Sequence, residues 1–146
     1  MEQLFTWQWE KDEWKNKFVA IYKEGKLFGR IPNLEFTGVS VINKRPFYVI
    51  RKGFFIWASE YIANPKTNTK LCDLLSYNSS TWRMEIEGKI KYQITIGDSL
   101  EGIVGASFFK ERKLFSKAGH IKVNSEEDIE LLIYASFFVY EIYNSD

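Results

Sequence analysis

The sequence predicts a mainly β (α+β) fold, an antiparallel β-barrel of about ten to twelve strands around a buried hydrophobic C-terminal helix. Three observations predict it. Short apolar segments with two-residue alternation recur from Phe5 to Val123, separated by turn residues. The final run, Ile129 to Tyr143, is apolar on nearly every helical bearing. And 12 Phe, 8 Tyr and 5 Trp make the chain 17% aromatic, with enough large rings to fill the space between a helix and an encircling sheet.

A length of 146 residues suits one domain, 1–146, and no repeat or linker divides it. Within it, residues 1–16 read as a segment that either joins the barrel or lies peripheral to it. Phe5, Trp7 and Trp9 alternate with Thr6, Gln8 and Glu10, and a charged stretch follows, interrupted by Trp14. These rings fit a plug at the barrel mouth or a cover over a sheet edge better than an interfacial anchor. Phe18 to Tyr22 reads as a strand, Glu24-Gly25-Lys26 as a turn, and Val39, Val41 and Ile42 as a β-branched run closed by Asn43-Lys44-Arg45-Pro46.

Two hairpins follow. In the first, Lys52-Gly53 allows a two-residue loop that pairs Ile50 with Phe55 and Tyr48 with Trp57. In the second, Trp82 to Ile96, a three-residue loop at Glu87-Gly88-Lys89 pairs Ile86 with Ile90, Met84 with Tyr92 and Glu85 with Lys91. That register keeps the apolar residues on one face. Between the hairpins, Asn64 to Thr69 is a turn and Leu71 to Tyr77 a strand. Ile103 to Phe109, Leu114-Phe115 and His120 to Val123 complete the β-structure.

The last segment, 125–143, reads as the central helix. Ser125 stands at the N-cap and Glu126, Glu127 and Asp128 lie where the helix dipole favours acids. A strand is the alternative, since Ile, Val, Tyr and Phe are β-formers. A helix apolar on all sides must be buried on all sides, within a barrel or between subunits; the oligomeric state stays open.

Tyr48 to Trp57 (YVIRKGFFIW), Asn64-Pro65-Lys66-Thr67 with Lys70-Leu71, and Trp82 to Gly88 (WRMEIEG) resemble the tubby C-terminal-like superfamily. This group includes tubby proteins, phospholipid scramblases and LURP-one-related proteins. The resemblance spans about residues 17 to 143 and points to the LURP-one-related or scramblase-like branch, the last two segments resembling the strand-turn-strand course of the former. It implies a β-barrel around a central hydrophobic helix and a lipid-binding or scaffold role. The tubby phosphoinositide site and the cysteine-rich segment and calcium loop of scramblases have no counterpart in this sequence.

Composition narrows the chemistry. Lys+Arg 20 against Asp+Glu 19 gives a net charge of +1, which argues against nucleic acid as a partner. One cysteine and one histidine leave no disulfide framework, metal cluster or triad, so no catalytic residue, metal or cofactor is assigned. His120 reads as a turn or surface residue, Cys72 as a packed thiol, and Glu85 and Glu87 as a solvated strand face. Gly102 and Gly105 do not form a phosphate loop. No secretory signal or membrane-spanning run of roughly 20 apolar residues is present, and the free thiol fits a cytoplasmic setting, with membrane contact peripheral.

One cluster stands out. Lys110, Arg112, Lys113 and Lys117 lie among Phe108, Phe109, Leu114 and Phe115, a pattern that suits an anionic lipid surface if exposed and an ordinary strand with basic outer face if not. The leading expectation is therefore a non-enzymatic module that binds an anionic membrane surface or a protein partner. The rival is a small-molecule-binding barrel, or an enzyme, with an aromatic-lined cavity.

Overall fold

The computed structural model describes residues 2–31, 40–43, 45–52, 59–78, 80–97, 104–110 and 118–144. Eleven strands form a closed barrel: β1 (Gln3–Lys11), β2 (Lys17–Lys23), β3 (Lys26–Ile31), β4 (Ser40–Ile42), β5 (Arg45–Lys52), β6 (Ser59–Asn64), β7 (Thr69–Ser76), β8 (Thr81–Ile86), β9 (Lys89–Ile96), β10 (Gly105–Lys110) and β11 (Ala118–Val123). Each pairs with its neighbour in sequence, and β1 closes the ring against β11, with Phe5 opposite Ile121. Within residues 1–16, Gln3–Lys11 thus belongs to the barrel. Its alternation supplies the closing strand, with Phe5 and Trp7 buried inside.

An odd number of strands cannot alternate in direction all the way around a ring. One pair must run parallel, and it is β9 with β10. The main chain comes very close there. Gly105 sits at φ 149°, and a Cβ on it would lie 1.8 Å from the Gln93 carbonyl oxygen, so only glycine fits.

Inside runs α1 (Ile129–Asn144). Every residue from Leu131 to Val139 is buried, which answers the absence of a polar face in that run. Ser136, its one mid-helix polar residue, donates its hydroxyl to the Leu132 carbonyl at 2.7 Å and so needs no outside partner. Tyr134 stacks on Phe47 with ring centroids 5.3 Å apart. The chain thus covers its own helix, which removes the reason to bury it between subunits.

The helix begins later than its acidic run. Asp128, not Ser125, is the N-cap: its carbonyl accepts the Leu132 N–H at 2.9 Å. The Ser125 hydroxyl instead accepts the Glu127 N–H at 3.1 Å, and residues 126–128 form a bend.

The second hairpin keeps the expected pairing of Met84 with Tyr92 but not the expected turn, and the first keeps none of its expected pairs. Glu87 (φ 53°) and Gly88 (φ 79°) form a two-residue turn of the type that matches strand twist, pairing Ile86 with Lys89 and Glu85 with Ile90. A bulge at Met84/Glu85 then restores Met84 opposite Tyr92 and keeps both side chains inside. Lys91 is the extra residue, so it does not face Glu85, and Glu87 lies in the turn rather than on a strand face. Glu24-Gly25 repeats the device, with φ 53° and 79° and a shift at Ile21/Tyr22.

In the other hairpin, Ile50 pairs with Tyr61 and Tyr48 with Ala63. Lys52-Gly53 is therefore no two-residue loop. The buried Ile62 instead takes the place opposite Val49, which packs against the core. Residues 53–58, with Phe55 and Trp57, lie outside the described residues, as does Leu114-Phe115.

Candidate functional site

The two ends of the barrel differ in chemistry. Where α1 begins, the Gln3 amide donates to the Ser125 carbonyl at 3.0 Å, Tyr92 donates its hydroxyl to Asp128 at 2.8 Å, and the Asn43 amide donates to Glu130 at 3.1 Å. Lys91 lies 3.4 Å from both Glu127 and Asp128, and Arg45 lies 3.8 Å from Glu130. Polar side chains close that end.

The opposite end holds a cavity of about 170 Å³, lined by Trp7, Trp9, Phe108, Lys110, Phe137, Tyr140 and Glu141. Strand periodicity brings Trp7 and Trp9 from β1 and Phe108 and Lys110 from β10 to one face. Helix periodicity does the same for Phe137, Tyr140 and Glu141, at i, i+3 and i+4. The floor is tightly packed. Trp7 stacks on Phe108 at 5.2 Å, its indole N–H donating to the Phe109 carbonyl at 3.3 Å, and Phe137 meets both rings edge-on. Tyr140 stands edge-on to Phe108 at 4.5 Å. Trp9 and Tyr140 are half-buried at the rim, and Lys110 is exposed there.

Beside it, Trp9, Glu10, Lys11 and Lys17 line a shallow groove. The β1–β2 turn projects from this end. One Asp12 carboxylate oxygen accepts the N–H groups of Trp14 at 2.8 Å and Asn16 at 2.9 Å, and Lys15 takes a positive φ of 64°. The braced turn leaves Trp14 77% exposed, with Lys11, Lys15 and Lys17 exposed around it. The Tyr22 hydroxyl and the Gln8 amide both donate to Glu10, and the Tyr22 bond holds its carboxyl below the usual range.

Of the four basic residues singled out in the sequence, Lys110 reaches this mouth. Arg112, Lys113 and Lys117 lie outside the described residues. Trp14 proves exposed, unlike Phe5 and Trp7. The Cys72 thiol is buried, and burial pushes it up to about 12, so it stays protonated and unreactive. The His120 ring stacks on Phe109 at 4.7 Å. Among the described residues no group of three or more His, Cys, Asp or Glu could hold a metal ion, and no helix is long and apolar enough to cross a membrane.

Sequence reasoning missed Glu141, and it did not join Trp9 to Tyr140. The signal was present in the i, i+3, i+4 spacing of Phe137, Tyr140 and Glu141, but a helix apolar all round offers no face to choose. Compared with known proteins, the chain matches no family model, no curated protein and no solved structure.

Proposed function

We propose that the protein is a non-enzymatic binding module that meets an anionic phospholipid surface with the aromatic mouth of its barrel. The observation that carries this reading is the cavity itself, with aromatic walls, Lys110 on its rim and the Trp14 turn projecting beside it. Trp side chains favour the membrane–water interface, and each basic group near an anionic surface adds roughly 1 kcal/mol. The closed barrel and buried C-terminal helix also support membership in the tubby C-terminal-like superfamily as part of this proposal. A small soluble ligand is the second reading, favoured by the concave, mostly aromatic lining.

Vesicle co-sedimentation tests the first reading. The protein is expected to sediment with phosphatidylcholine vesicles containing an acidic phospholipid, less so as salt rises. Trp14→Ala, at an exposed position, is expected to weaken sedimentation without lowering the melting temperature. Equal recovery in the supernatant with and without vesicles overturns the membrane reading.

A further inference from the structure

The floor of the aromatic mouth limits what can rest on it. The Trp7 indole N–H is already engaged by the Phe109 carbonyl, and the side chains of Phe108 and Phe137 have no polar atoms. A hydroxyl or charged group pressed onto these three rings would lose its water and gain no hydrogen bond from them. What rests on the floor is therefore apolar.

Size narrows the choice. The cavity has a volume of about 170 Å³. An apolar protein cavity of about 150 Å³ takes one benzene molecule, whereas drug-sized ligands occupy pockets of roughly 300 Å³ or more. One six-membered ring fits, with any polar substituent directed to the rim, where Lys110 is exposed.

Ring geometry favours an aromatic occupant over a saturated one. Five of the seven lining residues are aromatic. Trp7 and Phe108 stack with their planes 20° apart, and Phe137 stands edge-on to both, at 77° and 79°. Tyr140 meets Phe108 at 83°. Ring pairs in such stacked and edge-on arrangements gain beyond the area they bury. A further ring extends this pattern; a saturated ring or alkyl chain of equal bulk gains only the buried area.

We infer that the cavity is a site for a small ligand that inserts one neutral aromatic ring, of the phenyl or benzyl class. The inference deepens the second reading above, of a small soluble ligand at this mouth, and rests on it.

Calorimetry and ligand-observed NMR test it, with benzyl alcohol, cyclohexylmethanol and 1-hexanol as probes. All three carry one hydroxyl on an apolar body of similar bulk, and only the first is aromatic. Benzyl alcohol is expected to saturate in the millimolar range and to bind about fivefold more tightly than the other two. Tyr140→Leu is expected to weaken benzyl alcohol about fivefold and leave cyclohexylmethanol unchanged, while Tyr140→Phe keeps both affinities. Trp9→Leu makes the same test from β1 if the helix variant does not fold.

Cyclohexylmethanol or 1-hexanol binding as tightly as benzyl alcohol overturns the inference and leaves the small-ligand reading standing. A loss in the leucine variants that is equal for benzyl alcohol and cyclohexylmethanol marks the rings as structural and also overturns it. No saturable response to any of the three probes overturns the inference and the small-ligand reading together.

Discussion

At the end of the barrel where α1 begins, hydroxyl, amide and charged groups hold the helix; at the end where it finishes, aromatic rings do. The polar end spends its groups on one another, with Tyr92 on Asp128, Lys91 on Asp128 and Glu127, and Arg45 on Glu130. The aromatic end fills its floor with Trp7, Phe108 and Phe137 and leaves room above it. The difference teaches where this small fold can hold a ligand. Space survives above the aromatic floor, at the end opposite the polar closure.

The sharpest test of that contrast is Phe108→Ala. Phe108 meets Trp7, Phe137 and Tyr140, so its loss is expected to lower the unfolding free energy by about 3–5 kcal/mol in denaturant titration. A cost below about 1 kcal/mol would mean that the cavity floor is not packed as described.

The next effect concerns the barrel wall at Cys72. Burial raises this thiol from its ordinary value of 9.0 to about 12. Between those values the unfolded chain loses a proton that the folded chain keeps. Stability should therefore be full below pH 9 and fall by about 1.4 kcal/mol per unit as pH rises from there toward 12. Other groups titrate in this range, so the measurement is the difference between the wild type and Cys72→Ala. A parallel pH profile for the two proteins would contradict the burial.

At the polar end, Tyr92→Phe removes the hydroxyl that Asp128 accepts and is expected to cost about 1.5 kcal/mol, read as a fall in melting temperature. Arg45→Ala should change stability by no more than about 0.5 kcal/mol, because Arg45 is largely exposed and its ion pair is screened. If the two effects came out reversed, long-range charge rather than the buried hydroxyl would be what closes this end.

The barrel and its central helix were legible because both rest on patterns that a sequence displays. The alternation of Ile121 and Val123, or of Tyr92 and Ile94, marks inward faces, and a helix from Leu131 to Val139 with no polar face has to be enclosed. Registers were less legible. Glu87 carries a positive φ that its side chain does not advertise, and the bulge at Met84/Glu85 absorbs the offset that the three-residue loop was meant to remove. The parallel pair β9–β10 follows only once the strand number is known to be odd. Of the site, Lys110 was legible from local composition. Glu141, which lines the same cavity, follows it by thirty-one positions, and only the fold brings the two to one site.

The pairing of β1 with β11 also sets a timetable for making the protein. Gln3 and Ser125 meet across 122 residues, so the first strand leaves the ribosome long before one of its two neighbours exists. Its free edge, and the apolar interior that α1 will fill, stay open until synthesis has passed all eleven strands. Folding that depends on such distant contacts is slow and exposes aggregation-prone edges meanwhile.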